Sequence, residues 1–411
     1  RYRIVDGTAI FNPDKLQVVF GQRGLLFLNG RLETGSVAVV LETRPFETIA
    51  ASGNQTAVAA ALTAAVDAPG TSLDHLYGWL FTLEADQEAA ARRALDSLSG
   101  EVYTALPTAA ARRLEGVVAG VGRGLAGSAP GSAGRGAWWA AAQGGREHIR
   151  GDAQLGTAGS TFQWTGVTAG ADLLQGASSH AGVLAGYHTE TLEMPDRGSV
   201  LHGTGLQLGL YGRWPLGQVS LTGVAAISRT RSEGRRRLAF DGGETALASF
   251  DTTDTVMALE GRFEGFAAGG VAVVPVASVG RYTTQRGLFS ETGAAGAGLT
   301  VHPYSGAWVR VRLGVELLPA KAAEGGLTWG GRLAWVQDVS GAERAIEAHF
   351  NGAPGESFTV NGTPAARRGF GVELAVNGRS TARSSWSLEY QGRFRPDGDS
   401  HGLLGRLVVE F

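Results

Sequence analysis

From residue 135 to its last residue, the chain alternates apolar and polar side chains with a period of two. The alternation is clearest over residues 206–214, 309–317, 370–377 and 386–394. Successive side chains of a β-strand point to opposite faces, and this produces such a period. Twelve such segments can be counted, starting near residues 136, 159, 179, 201, 217, 252, 269, 306, 326, 367, 383 and 400. We therefore predict that residues 135–411 form one all-β domain of about twelve antiparallel strands.

The segments have the length and the aromatic ends of strands that cross a membrane. They run to ten or more residues, and a tilted strand needs about nine to eleven to cross the hydrocarbon. Several of the apolar faces begin or end with an aromatic residue, as in the interfacial girdles of membrane barrels. These residues are Trp214, Trp329, Trp386 and Tyr390.

The polar face of the clearer strands carries many charges of both signs. The basic members are Arg213, Arg262, Arg310, Arg312, Arg332, Arg393 and Arg406. The acidic members are Glu260, Glu264, Glu316, Asp338, Glu373, Glu389 and Glu410. A dry sandwich core cannot bury so many charges, whereas the wet lumen of a barrel can. This favours a membrane barrel with a charged lumen over a soluble β-sandwich.

The links between the segments alternate in length. Tight links at residues 215–217 and 267–270 contrast with long ones at 232–251, 287–304 and 340–367. Outer-membrane barrels have short periplasmic turns and long external loops. The chain is therefore predicted to be an outer-membrane protein.

Two further zones precede the barrel. Residues 1–50 contain short β-rich runs at 2–5, 16–20, 25–28 and 37–41, which we interpret as the end of a β-solenoid. Residues 51–134 have helical composition and form a predicted helical linker. Its last helix, residues 108–125, consists of Ala, Gly and Val apart from a few larger and charged residues, and is slim enough to enter a narrow lumen. Its charged side chains are Arg112, Arg113, Glu115 and Arg123. The chain begins at Arg1 without Met, and we expect it to be the C-terminal piece of a longer protein.

The composition argues against several functions. Lys and Arg number 36 against 38 Asp and Glu, and the net charge is −2, so no basic excess exists for binding nucleic acid. The absence of Cys removes thiolate zinc sites and Cys nucleophiles. Neither a His-Glu-x-x-His motif nor a Gly-x-Ser-x-Gly motif occurs. We therefore predict no metal site, no cofactor and no catalytic residue.

The order of these zones resembles the C-terminal translocator unit of classical autotransporters, which use type V secretion. The matching pieces are ALDSLSGE at residues 94–101, GAW at 136–138, GVLAGY at 182–187, FTVNGTP at 358–364 with the following AAR, and the closing strand. The resemblance implies a barrel in the outer membrane of a Gram-negative bacterium, a helix in its lumen, and an N-terminal passenger at the cell surface. It also implies contact with outer-membrane lipid, periplasmic chaperones and the barrel-assembly machinery.

The closing strand ends in Phe411, which shares one face with Leu403, Leu407 and Val409. The resemblance implies that this face is the signal that the assembly machinery recognises. The alternative is an ordinary strand that ends at the C-terminus.

Three functions remain open from the sequence. The first is a monomeric translocator and anchor that exports its own passenger. The second is a diffusion channel of the porin type. A porin would need no helix that enters the lumen from one rim, so the helical zone separates these two functions. The third is a barrel that cleaves its own passenger. Residues 108–127 contain no Asn, so an acid-assisted reaction would need Glu260, Glu264, Glu316, Glu373 or Glu389 close to the helix. We expect these carboxylates to pair instead with Arg112, Arg113 and Arg123, and the chain not to be an enzyme.

Overall fold

A computed structural model describes residue 25 and residues 27–32, 39–66, 68, 70–126, 137–176, 179–320, 327–341, 344–381 and 383–410. The predicted strands at 2–5 and 16–20, most of the loop at 126–134, and Phe411 lie outside the described residues. Strands β1 and β2 of the first zone, Phe27–Leu32 and Val39–Thr43, pair antiparallel. Their assignment to a passenger stays a prediction.

A closed antiparallel barrel of twelve strands dominates the described part of the chain. Each strand pairs with its neighbour in the ring, and the last strand closes the ring on the first, from Gly398 opposite Ile149 to Glu410 opposite Ala137. The strands are β3 Ala137–Ile149, β4 Ser160–Gln175, β5 His180–Met194, β6 Ser199–Leu216, β7 Val219–Arg237, β8 Thr245–Phe263, β10 Val271–Arg286, β13 Tyr304–Pro319, β14 Leu327–Ser340, β17 Arg368–Thr381, β18 Ser384–Arg395 and β19 Gly398–Glu410. A short strand, β9 Phe266–Ala268, pairs with the start of β10. The predicted fold of the domain is confirmed.

The alternation of side chains along each strand separates an apolar outside from a polar inside. In β6, Leu206, Leu208 and Leu210 are 66%, 61% and 62% exposed, whereas Gln207 between them is 2% exposed. Leucines left exposed in this way gain nothing in water but are favourable against lipid tails. The predicted girdle residues Trp214, Trp329 and Trp386 also face outward, each near the end of its strand where the tight turns lie. The outer surface is therefore suited to a bilayer.

The two rims of the barrel differ, as the link lengths predicted. One rim carries short links and the ends of the barrel strands at Ala137 and Glu410, and the other carries the long connections together with tight turns at 195–198 and 396–397. Two of these connections are not plain loops. They contain β11 Phe289–Ser290, β12 Leu299–Val301, β15 Ala345–Phe350 and β16 Ala353–Asn361, which form a small antiparallel sheet. The link predicted at 232–251 is shorter than expected, because β7 continues to Arg237 and β8 already begins at Thr245.

Helices α1 Gly53–Ala65, α2 Asp74–Thr82 and α3 Glu88–Leu98 pack on this small sheet at the rim of long connections. Short 3₁₀ turns lie at Phe46–Thr48, Ala85–Gln87, Glu101–Ala105, Pro195–Arg197 and Ala295–Ala297. The three helices and the small sheet share one apolar core. Its members include Val58, Leu62, Leu76, Leu95, Leu98, Leu299, Ile346, Phe350 and Val360. The zone predicted as a linker is thus a folded cap, since its helices bury one apolar face against the connections. We call residues 44–105 the cap.

The last helix, α4, spans Leu106–Ala126 and lies inside the ring of strands. It begins two residues before the predicted start at residue 108, so Pro107 belongs to its first turn. Proline is tolerated in the first turn of a helix, because the N–H that it lacks is often unused there. Among the described helices, none is long and apolar enough to cross a membrane by itself.

Candidate functional site in the barrel lumen

Helix α4 fills the lumen with small and apolar side chains. Leu114, Val117 and Val121 are buried and belong to a second apolar core, shared with wall residues. The wall members include Trp139, Tyr211, Val256, Trp308, Leu404 and Val408. At Gly116 the helix comes so close to β3 that a Cβ atom would lie 2.5 Å from the side-chain oxygen of Gln143. The predicted slim helix therefore packs directly against the wall.

Arg112 ties the first turns of α4 to β3. Its Nε and Nη2 atoms donate to the two carboxylate oxygens of Glu147 at 2.7 and 2.5 Å. Its Nη1 atom donates to Glu115 at 3.1 Å. All three side chains are buried, so these charge-assisted bonds form in a setting where water screens them little.

Arg113 points to another part of the wall. It donates to Glu190 of β5 and to Asp254 of β8, which lies three strands further round the ring. Arg113 is 2% exposed and Asp254 is fully buried. Thr284 donates a further hydrogen bond to Asp254 at 2.7 Å. One guanidinium thereby bridges two carboxylates from strands that do not touch each other.

Glu115 is the acidic residue among the charged side chains of α4, and it contacts guanidiniums of the wall strands β13 and β18. It accepts from Arg310 and Arg393, and Arg312 lies 3.2 Å away. Arg310 also donates to Asp338 at 2.5 and 2.8 Å. The helix charges thus connect to both sides of the ring through pairs of opposite sign. We call Arg112, Arg113, Glu115 and their wall partners the plug cluster.

A second group of charges lies on the wall alone. Arg332 donates to Glu260 at 2.8 Å, and its guanidinium lies 3.5 Å from Glu373 and 3.6 Å from Glu316. Arg262 pairs with Glu316 at 2.9 Å. These residues were predicted to line the lumen. The structure pairs them with one another across adjacent and nearby strands.

The predicted partners of the helix arginines differ from those that the structure places beside them. Arg112 and Arg113 contact Glu147, Glu190 and Asp254. We expected them to contact carboxylates of the group Glu260, Glu264, Glu316, Glu373 and Glu389. That expectation is wrong for these two arginines, because they lie near the rim of long connections. Glu260, Glu316 and Glu373 occupy the other half of the lumen and face wall arginines.

The closing strands contribute further buried polar groups. Arg406 donates to the backbone carbonyl of Gly120 in α4 at 3.0 Å and to Ser387 at 3.2 Å. Glu389 is fully buried and accepts from Gln391 at 2.7 Å. Arg406 thus joins the far end of the helix to the wall.

Other predicted lumen residues lie at the rim of short links. Arg213 donates to Ser220 at 2.7 Å, and Glu410 is half-buried at the last described position. Glu264 is exposed in the connection after β8, because that strand ends at Phe263. Its predicted place in the lumen is therefore wrong. The side chain of Arg123 lies outside the described residues.

The predicted assembly face is on the outside of the last strand. Leu403, Leu407 and Val409 of β19 are exposed on the apolar surface, and Phe411 lies outside the described residues. Its role as a signal stays a prediction.

Sequence reasoning missed Glu147 and Asp254 as lumen residues. Asp254 shares one face of β8 with Thr252, Val256 and Glu260. The alternation of this strand could therefore have identified it as a lumen residue. Glu147 follows a run of Ala and Gly in β3, where the phase is weak. His188, on the same strand as Glu190, is also buried in the lumen, with Nε2 3.0 Å from the hydroxyl of Thr230.

Little free space remains between α4 and the wall. Two cavities along the helix measure about 50 and 40 Å³ (a water molecule occupies roughly 30 Å³ in the liquid). A larger cavity of about 540 Å³ lies at the rim of long connections. Among the described residues, no three His, Asp or Glu side chains lie close enough together to hold a metal ion. The lumen is therefore closed by α4, and both ion pairs and apolar contacts hold this helix in place.

Comparison with known proteins agrees with this architecture. The family described as "Autotransporter beta-domain" matches residues 138–391. The solved translocator domain of the autotransporter NalP from Neisseria meningitidis is 13% identical, covers 75% of this chain and 99% of its own, and superposes with a TM-score of 0.61. The β-domain of the Bordetella autotransporter BrkA is 19% identical, with 67% and 100% of the two chains covered and a TM-score of 0.49. No curated protein matches the sequence.

Proposed function

The chain belongs to the autotransporter β-domain family, and from this premise we propose that the barrel exports its own N-terminal passenger and then anchors it at the cell surface. Membership of the family supports the coarser role directly: the chain is a β-barrel translocator of a Gram-negative outer membrane. The proposal adds the direction of export, the identity of the cargo and its final position.

The observation that carries the proposal is the path of α4 through the lumen. Near its start, Arg112 binds Glu147, two residues from the end of β3 at the rim of long connections. Near its end, Gly120 accepts from Arg406, four residues from the end of β19 at the other rim. The cap, which precedes α4, therefore lies on the side of the long connections. In outer-membrane barrels that side faces outward.

The proposal includes a set of partners. The passenger is continuous with the cap, so it needs no separate docking site. We propose that folding of the passenger outside the cell, rather than a nucleotide, supplies the energy of export. Periplasmic chaperones and the barrel-assembly machinery would deliver and insert the chain, and the barrel would act as a monomer in lipid.

Export can be tested by the side on which the N-terminus appears. The chain is produced in a Gram-negative host with a signal peptide and an epitope tag before Arg1, and intact cells are treated with protease. We expect the tag to be cut on intact cells while the barrel stays folded. A matched chain that lacks β19, Gly398–Glu410, cannot close the ring and should keep no tag at the surface. A folded barrel whose tag is protected on intact cells would contradict the proposal.

We also propose that the chain does not cleave its passenger. The carboxylates beside the start of α4 are each engaged by a guanidinium, Glu147 by Arg112, and Glu190 and Asp254 by Arg113. Such pairing occupies the carboxylate oxygens that an acid-assisted cleavage would need. The tag and the barrel should therefore remain in one polypeptide after boiling. Cleavage of the natural chain that stops in the Glu190→Gln/Asp254→Asn variant would overturn this.

A further inference from the structure

The outward faces of β7 and β10 both change from apolar to basic partway along the strand. On β7 the outward side chains over residues 219–227 are apolar or glycine, and the next one is Arg229. On β10 the outward side chains over residues 271–279 are apolar, and the next one is Arg281. Each apolar stretch has the length of about nine residues that a tilted strand needs to cross the hydrocarbon. Both arginines therefore lie where the hydrocarbon ends and the hydrated headgroups begin, on the side of the long connections.

Positive charge predominates on this outer surface beyond the apolar stretches. The outward side chains of β7, β8 and β10 there include five arginines and two carboxylates, namely Arg229, Arg231, Arg235, Arg237 and Arg281 against Glu233 and Asp251. Within their described ranges, the neighbouring strands β6 and β13 add no carboxylate to their outward faces. In the connection between β7 and β8, Asp241 and Glu244 both bind His75. The surface therefore keeps an excess of guanidiniums after its acidic neighbours are counted.

Arg281 has apolar neighbours and, among the described residues, no hydrogen-bonding partner. Directly beside it lie Met257 of β8, which is 68% exposed, and Val309 of β13. A guanidinium at the edge of the hydrocarbon is unfavourable unless its stem bends it toward water or an anion. A phosphate group suits this position, because a guanidinium can hold it through two parallel hydrogen bonds.

The arginines on β7 are exposed and only partly engaged by the protein. Arg229 pairs with Asp251 at 2.7 Å, although its side chain remains 74% exposed. Arg231 donates to the hydroxyl of Ser249 at 3.3 Å. Between β7 and β10, β8 presents small side chains at this level, such as Thr253 opposite Arg229. A headgroup can therefore lie against β8 and contact guanidiniums on both of its sides.

From the basic edge of the apolar surface, the open guanidinium of Arg281 and the small side chains of β8, we infer that β7, β8 and β10 bind lipid A on the outside of the barrel. Lipid A is the anchor of lipopolysaccharide in the outer leaflet, and its disaccharide carries a phosphate at each end. One phosphate would accept from Arg281 and the other from Arg229 and Arg231. The acyl chains would pack on exposed apolar residues such as Met257 and Leu259. The inference rests on the outward orientation of the long connections in the proposed function.

Titration of the full chain in non-ionic detergent with lipid A tests this site, with native mass spectrometry to count the bound molecules. We expect saturable binding that weakens as salt rises, because the attraction is between charges. Arg229→Gln/Arg281→Gln should weaken the affinity about tenfold or more, since charge-assisted hydrogen bonds to both phosphates are lost. Lipid A without its phosphates should bind the natural sequence about tenfold more weakly for the same reason. Pyrophosphate should not compete at matched phosphate concentration, because it has no acyl chains to pack on the apolar stretches.

Two variants separate the site from charge in general. Arg146→Gln is the matched control, because Arg146 is exposed on the outward face of β3, opposite β10 in the ring. At that distance salt screens its charge, so the affinity should change less than about twofold. Asp251→Asn removes a carboxylate from the site and should raise the affinity about twofold or more, which a folding defect would not do. Heat-modifiable migration of every variant checks that the barrel is folded.

The titration is independent of export, since detergent leaves both ends of the barrel accessible. No saturable binding, equal binding of the dephosphorylated lipid, competition by pyrophosphate, an equal loss in Arg146→Gln or no gain in Asp251→Asn would each overturn the lipid A site and leave the proposed export intact. A protected epitope tag on intact cells would instead overturn the orientation that both proposals share.

Discussion

Removal of the guanidinium at Arg113 should open the barrel. In the Arg113→Gln variant, Glu190 and Asp254 would face each other in a buried part of the lumen without a counter-charge. Loss of one partner from a buried ion pair costs about 3–5 kcal/mol. At the lower end of that range, the population in which α4 has left the wall rises about a hundredfold. The cap is continuous with α4, so it would shift together with the helix.

Single-channel recording in planar bilayers measures this population as the fraction of time spent at high conductance. The natural sequence should be closed almost throughout, and Arg113→Gln should show frequent openings. The double reversal Arg112→Glu/Arg113→Glu should stay open longer, because each reversed charge then faces carboxylates of its own sign. Arg93→Gln is the control, since Arg93 is an exposed arginine on α3 of the cap.

A rescue variant separates charge from packing. In Arg113→Gln/Glu190→Gln/Asp254→Asn the three charges disappear together, and neutral replacement of a whole buried ion group is often tolerated. We expect this triple variant to close again to a large extent. Equal opening of the single and triple variants would show that the side-chain volume of Arg113 matters rather than its charge. Large conductance in the natural sequence would refute the plug and favour a porin-type channel.

Three other predictions address the membrane, assembly and pH. The full chain should be extracted only by detergent and should migrate faster on gels when unheated, because opening a closed barrel exposes many backbone groups at once; a water-soluble monomer would contradict this. Deletion of Phe411 should lower insertion in cells and leave refolding into detergent nearly unchanged, and an equal loss in both would reduce Phe411 to a packing residue. Hydrogen bonds to Asp241 and Glu244 raise the pKa of His75. The protonated His75 links α2 to the β7–β8 connection. This link is fully present below the ordinary histidine pKa of about 6.5, and it is lost as pH rises through the raised pKa. Hydrogen-exchange protection of α2 should therefore fall with rising pH in the natural sequence but not in His75→Gln, and the opposite trend would contradict the assignment.

The barrel itself was predictable because each strand shows its environment in its own sequence. Apolar side chains that face lipid alternate with polar side chains that face the lumen, and this alternation located all twelve strands. The start of β8 was misplaced, at residue 252 instead of Thr245, for a physical reason. Beyond the bilayer the outward side chains meet water, so Arg229 and Arg231 of β7 are exposed charges. Apolar alternation ends there, although the backbone pairing continues.

The charge pairs of the lumen were not predictable from the same signal. Alternation tells which face a residue occupies, but not its height in the ring or its angular position. Both depend on the stagger of neighbouring strands, which accumulates round the barrel. Glu190 and Asp254 reach one guanidinium only because β5 and β8 curve round the same lumen. The cap was missed for a similar reason, since its apolar partners Leu299, Ile346 and Phe350 lie some two hundred residues or more further along the chain.

The plug cluster has a property that suits the proposed export, in which the chain passes through the barrel before α4 settles in the lumen. Before α4 arrives, Glu147, Glu190 and Asp254 line a lumen that is wide enough for water, and hydrated carboxylates cost little. Arrival of the helix removes that water and supplies Arg112 and Arg113 in exchange. The ion pairs therefore stabilise one register of the helix: a shift by one turn would leave buried charges of both signs unpaired. On this reasoning the charges contribute little to whether the barrel folds, and in the proposed export they would determine where the chain stops.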